Sequence, residues 1–306
     1  MVAAVLLAVF FLLNIVTGGA LITANNLRTI FVHSIFHALT AWGLCFIFTT
    51  GLCDLSIGAI VLLAANVGGQ LGENLGLGYP GMVIGSVAVA IICEHLCTRC
   101  SIQLGIPSWV SGLGCALIFE AILSIWANAI AGAGRQLPHI KVYRAFGKFP
   151  VMMSVWVAGL AAAYLIYNYT DIGLNLRAVG ANENVATAMG IKKRQTIYVA
   201  TLVGAVFVGI AATVQISYSG FLSAKTGLGS LSSIFKGLAT LLLANSFEDT
   251  FSMPVGIAIG AIVVMGIFNV LTVMGVPSGT GQEMCLGAIV ILCGALSHLH
   301  YKGVVK

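Results

Sequence analysis

A chain of 306 residues that is 59% hydrophobic, only 8% charged and has a mean hydropathy of +1.05 does not have water as its main solvent, since soluble domains carry roughly 25% charged residues. Its net charge of +5 is scattered among connections, with no basic stripe interleaved with aromatics, so nucleic acid is excluded as a partner. The apolar runs are long and continuous rather than alternating segments of about 10 residues, which excludes a β-barrel. The class that remains is all-α: a polytopic integral membrane helical bundle, read here as one membrane domain over 1–306 with membrane lipid as its solvent.

Taking a span as about 20 apolar residues, helices are expected near 2–18, 28–48, 54–72, 80–97, 108–130, 151–169, 196–217, 229–245, 253–274 and 281–298, about ten in all. Ala3–Val16 is short and ends near Gly18-Gly19-Ala20, but it has no basic n-region, so it reads as a first span and not as a cleaved leader. The connections 98–107, 131–150 and 170–195 are long enough to matter. Lys and Arg are too evenly divided between the two sides for charge to fix the orientation. Most of the eight cysteines (Cys45, Cys53, Cys115, Cys285, Cys293) lie within apolar runs and act as small hydrophobes.

From Ile30 to Val67 the chain stays apolar except at Thr49-Thr50-Gly51 and Asp54-Leu55-Ser56, which leaves no room for an aqueous loop. Either Asp54 caps the following helix, or the helix is broken within the membrane beside a cavity. Both hold together without conflict. Asp54, Ser56 and Gly58 are therefore candidate pathway residues, as is Glu120, a carboxylate in mid-span. His33 and His37 share a helix face, and Cys93-Glu94-His95-Leu96-Cys97-Thr98-Arg99-Cys100 contains a C-x-x-C with a nearby His. A helix splays such ligands around its surface, so no metal is expected. Gly76–Gly81 matches G-x-G-x-x-G without a preceding strand and is discounted. Gly68/Gly72, Gly81/Gly85 and Gly256/Gly260 read as helix-packing pairs.

The segment Asn175–Gln195 is polar, lies between two clear spans and contains a short helical pattern from Ala181 to Met189. Asn182 suits its N-cap and Gly190 its C-terminal stop, with Val185, Ala186 and Met189 as a small apolar face. A helix of about two turns is unstable alone and needs a surface to dock on.

The stretch Ala178-Val179-Gly180-Ala181-Asn182-Glu183-Asn184-Val185-Ala186-Thr187-Ala188-Met189-Gly190-Ile191 resembles the coupling loop of ABC importer permeases in the ribose/xylose/galactose branch, A-x-G-x-N-x-x-A-A-x-x-x-G-I, losing only the first of the paired alanines. Gly51–Gly58 is similar to that branch's G-G-I-D-L-S-V-G, Leu21–Leu27 to F-L-T-x-x-N-L, and Ile106–Val110 to I-P-P-F-I. The matches fall in order over nearly the whole chain. The pattern departs at Ala244–Phe251, where the branch has G-G-T-S-L-x-G-G. The resemblance implies a translocation subunit, not itself an enzyme, in the bacterial inner membrane. It implies cytosolic ABC ATPase subunits, a second permease subunit and an extracytoplasmic substrate-binding protein as partners.

ATP and Mg would be used by the partner ATPase, because G-x-x-x-x-G-K-[ST] is absent from the chain. Ala178, Gly180, Asn182, Glu183, Ala186, Gly190 and Ile191 would carry the ATPase contact, facing the cytosol on the same side as the termini. Arg135, Lys141, Arg144 and Lys148 would then lie outside, where they could meet an acidic face of the binding protein or simply be solvated. The alternative is an ion- or proton-coupled secondary transporter, which calls for paired intramembrane carboxylates.

Overall fold

The computed structural model describes residues 14, 18–19, 22–132, 137–248, 250–277 and 279–300. Most of the expected first span, and Arg135, lie outside them. The described elements are helical: α1 (Ala24–Phe48), α2 (Ile57–Glu73), α3 (Gly78–Leu104), α4 (Ser108–Ala131), α5 (Val151–Tyr169), α6 (Asp171–Ala181), α7 (Glu183–Ala188), α8 (Lys193–Ser219), α9 (Leu231–Asn245), α10 (Met253–Val273) and α11 (Thr280–His300), with a 3₁₀ turn at Ala145–Gly147. Six of these (α1, α3, α4, α5, α8 and α10) are long and apolar enough to cross a bilayer, and α2 and α9 are shorter apolar helices. The chain is a multi-pass helical membrane protein.

Two expected connections turn out to be helix. The 98–107 connection shrinks to Gly105–Pro107, because α3 runs on to Leu104 before Gly105, at φ +64, stops it. Its polar residues, from Thr98 to Gln103, are compatible with a helix although they interrupt the hydrophobic run. Likewise the first part of 170–195 is the eleven-residue helix α6.

The described helices form two compact units, one of Trp42–Ile234 and one from the described parts of Met1–Ala41 and Phe235–Lys306. In the first, α2, α3 and α8 pack on one another. Their contacts rely on missing side chains, a Cβ on Gly68 of α2 falling 2.6 Å from the Met82 carbonyl oxygen of α3, and α1 meets α8 in the same way: a Cβ on Gly43 would lie 2.8 Å from the Gly204 carbonyl oxygen, and one on Gly204 2.8 Å from that of Gly43. Backbones approach this closely in lipid because dispersion between helices replaces the hydrophobic drive. Trp42 and Phe46 fill the adjoining space against Phe207, the latter stacked at 5.6 Å.

The second unit has its own core of Ile30, Ala239, Leu243, Phe247, Val264, Met265, Phe268 and Leu286. Gly256 and Gly260 on α10 face the Ala244 and Thr240 carbonyls of α9, as the small-x-x-x-small spacing predicts. Phe247, within the segment that departs from the resemblance, is buried in this core.

The 137–150 connection is ordered. Glu73, at the end of α2, accepts the N–H groups of Lys141 and Val142 at 3.2 Å and of Tyr143 at 3.4 Å. Arg144 Nε donates to the Ser217 carbonyl at 3.2 Å, and its guanidinium also reaches the Tyr218 carbonyl. Arg144 is thus tied to the end of α8, where a half-buried cation satisfies helix-terminal carbonyls that would otherwise be left bare. Lys141 and Lys148 do remain exposed.

Candidate functional site

The polar segment 170–191 is built as two helices joined at a single extended residue, Asn182. Thr170 opens α6, its hydroxyl oxygen accepting the Gly173 N–H at 3.4 Å. Leu176 and Val179 then bury one face of α6. Arg177 lies over the Tyr167 ring at 5.2 Å and donates from Nε to the Gly173 carbonyl. Gly180 is where α6 meets the end of α1: a Cβ there would collide with the Thr49 carbonyl oxygen. Ala178 is half-buried, and its carbonyl takes the last α6 bond, from the Asn182 N–H at 3.2 Å.

Asn182 breaks the helix with φ −159° and ψ 106° and restarts it, its Oδ1 accepting the Asn184 and Val185 N–H groups at 3.0 and 3.1 Å. This is the N-cap geometry that its residue type favours. At the other end of α7 the Ile191 N–H bonds to the Ala186 carbonyl at 3.0 Å and the Gly190 N–H to that of Thr187 at 2.9 Å. These are the paired bonds of a Schellman stop, and Gly190 sits at φ +85° as that stop requires. Glu183 and Lys193 form an ion pair at 2.6 Å that ties the start of α7 to the start of α8. Ala186 is buried, whereas Val185 and Met189 project outward at 54% and 75% exposure. The apolar face read from sequence therefore divides: one residue seats the helix and two are left exposed. A surface recess of about 420 Å³, lined by Asp171, Asn175, Met189, Gly190 and Lys192 among others, adjoins it.

The second group of candidates surrounds the junction of α1 and α2. Residues 49–56 are turn and irregular chain. Asp54 does not cap α2. Ser56 occupies the N-cap position without a side-chain cap, and Asp54 Oδ1 accepts the Ser56 N–H at 2.7 Å. That is an Asx turn one step before the helix. The Cys53 N–H is taken by Ser108 Oγ at 2.9 Å, and Gly112 of α4 lets Leu55 and Asp54 approach, since a Cβ there would be 2.6 Å from the Leu55 nitrogen.

Glu120 and Gly58 converge on one short segment. Glu120 is 2% exposed, and its two oxygens accept the Leu228 N–H at 2.9 Å and the Ser230 N–H at 2.7 Å. Gly58 admits the Ser230 carbonyl where any side chain would collide. Leu228 stands at φ +65°, a left-handed backbone that a branched residue adopts only when its surroundings hold it. Glu120 is what holds it. Asp54 faces elsewhere, towards Glu94 on α3, a residue that sequence reading met only as part of the Cys93–Cys100 segment. Heptad position and distance in sequence carry no sign of that pairing; only the fold of residues 49–56 creates it.

The chain matches the family model for branched-chain amino acid transport system permease components over residues 26–294. It is 27% identical to the galactose/methyl galactoside import permease protein of Treponema pallidum, covering 96% of this chain and 61% of that one. It is 26% identical to the D-allose transport system permease protein of Escherichia coli over 96% of this chain and 91% of that one, and 23% identical to the Escherichia coli ribose import permease protein over 90% and 85%. No solved structure matches the chain at a significant level. With a family match running from the start of α1 into α11, the chain belongs to the permease-component family of these transport systems.

Proposed function

We propose that this chain is the membrane-spanning permease subunit of an ATP-driven ABC importer for a sugar or sugar-like solute. Cytosolic ATPase subunits would bind and hydrolyse ATP with Mg, a second permease subunit would complete the translocation path, and an extracytoplasmic binding protein would deliver the solute. The relatives named for galactose, allose and ribose import support the solute class. The observation that carries the reading is α7: a helix of six residues, capped at both ends, with Val185 and Met189 bare. So short a helix is rigid only because of its caps and its seat, and an exposed apolar pair on it is suited to a groove on another protein.

In this reading Asn182, Gly190 and Ile191 shape the coupling helix, Ala186 and Glu183 fix it to the bundle, and Ala178 and Gly180 pass its movement to the end of α1. The docking side is the cytosol, in a bacterial inner membrane. Asp54 and Ser56 lie in the irregular segment 49–56, and Gly58 and Glu120 hold the segment at Leu228–Ser230; such movement would rearrange both segments around the solute path. The test is to replace Val185 and Met189 together by Glu. The double variant should lose co-purification with the ATPase and solute-stimulated ATP hydrolysis while keeping the wild-type melting temperature. Undiminished association would refute the coupling assignment.

A further inference from the structure

Glu94 is 2% exposed and Asp54 4%, and their carboxyl groups face one another. Both line a cavity of about 10 Å³ together with Thr98, Ser101, Ser108 and Ser111, with no Lys or Arg in its wall. Such a volume is on the order of one water molecule's reach. Among the described residues, neither Glu94 oxygen nor Asp54 Oδ2 has a donor, and Thr98 Oγ1 has no acceptor. The remaining hydroxyls are engaged: Ser108 Oγ with the Cys53 N–H, Ser111 Oγ with the Ser108 carbonyl, and Ser101 Oγ with the Ile106 carbonyl.

Two ionised carboxylates cannot rest side by side in such a place. At a separation of ~4 Å and an effective dielectric of ~20 their repulsion is about 4 kcal/mol, and the desolvation of each adds several more. We propose that Asp54 and Glu94 form a proton-binding site inside the helical bundle, in which Glu94 holds the proton and donates it in a hydrogen bond to Asp54 Oδ2. The assignment between the two follows from their donors. Asp54 has the Ser56 N–H at 2.7 Å to stabilise its anion, whereas Glu94 has no N–H at all.

The other ionisable groups facing the pair are thiols: Cys53 beside Asp54, Cys93 and Cys97 on α3, and Cys115 on α4. None of them supplies a positive charge. A metal cation fits less well, because hard divalent ions take about six to eight oxygens, and a cavity of about 10 Å³ has no room for the waters that would complete such a set. The site goes beyond the transport reading and does not depend on it. It also bears on the segment 49–56, whose Thr49 carbonyl abuts Gly180 of α6, so that proton occupancy and the position of α6 act on the same stretch of chain.

Infrared spectroscopy of the full chain in lipid tests the site. At neutral pH the wild type should show the carbonyl band of a protonated carboxylic acid, shifted by deuteration and by ¹³C-labelled glutamate but not by ¹³C-labelled aspartate. Glu94→Gln should abolish the band with its melting temperature within a few degrees of wild type, since the Gln amide still donates to Asp54. The proposal is overturned if the wild type lacks the band, if the aspartate label moves it, or if it survives in the variant. It is overturned equally if sodium chloride, against choline chloride, raises the melting temperature of the wild type and not of the variant, which would make the occupant a sodium ion. Should Glu94→Gln fail to fold, the labelling experiment on the wild type decides alone.

Discussion

Glu120 gives the sharpest test of how the irregular 220–230 connection is held. Its carboxylate accepts two backbone N–H groups, from Leu228 at 2.9 Å and Ser230 at 2.7 Å, in a site that is 2% exposed. Replacing it by Gln leaves one acceptor and sets an amide N–H₂ against the other N–H. One buried donor then goes unsatisfied, at a cost of about 1–3 kcal/mol. Replacing it by Ala leaves both N–H groups bare, about 2–6 kcal/mol by the same count, before any cavity term. Leu228, at φ +65°, carries a left-handed penalty of about 1–2 kcal/mol, so Leu228→Gly should recover part of the loss in the Glu120→Gln background. The assay is thermal unfolding of the purified chain in detergent, with wild type, Glu120→Gln, Glu120→Ala, Leu228→Gly and the Glu120→Gln/Leu228→Gly double variant compared. A Glu120→Gln protein that melts with wild type would refute the claim that this carboxylate acts as a backbone clamp. So would an Ala variant no worse than the Gln variant.

Further expectations follow the same geometry. Gly190→Ala has open space around the new Cβ but keeps φ +85°, so it should destabilise α7 by about 1–2 kcal/mol, read as faster amide exchange over 183–191. Gly180→Val, by contrast, meets the Thr49 carbonyl and should push α6 off α1, read as faster amide exchange over 176–181 than in the wild type. Removing the half-exposed Glu183–Lys193 pair by Glu183→Gln should shift the melting temperature little, since exposed pairs contribute about 0–1 kcal/mol. Glu73→Gln should release the N–H groups of Lys141–Tyr143 and appear as earlier protease cleavage within 137–144.

The helices were legible because lipid demands long uninterrupted runs, and Val151–Tyr169 can be read from composition to the residue. α7 was legible too, for a different reason: Asn182 and Gly190 are residue types with strong backbone preferences, and each occupies the position that its preference dictates. What escaped is long-range. Polar residues at the end of α3 resembled a loop because hydropathy cannot distinguish a helix leaving the membrane from a chain that has ceased to be helical. Asp54 can be read from sequence as a cap or as part of a broken helix, because its nearest backbone N–H groups are local, whereas its facing carboxyl, Glu94, is set by the turn at 49–56, which no local propensity specifies. Glu120 was marked as functional for being a charge among apolar residues, but nothing near it in sequence announces that its ligands are the N–H groups of Leu228 and Ser230.

The ordered 137–150 connection has a mechanical consequence. One carboxylate at the foot of α2 grips three successive amides, and Ser217 near the end of α8 receives the Gly147 N–H while donating to the Tyr143 carbonyl. A stretch fastened at both ends to two different helices does not swing like a flap on a hinge. It works as a strut that keeps those ends of α2 and α8 at a fixed spacing. Any separation of α2 from α8 on that face then has to carry the strut with it, and its length sets how far apart they may go.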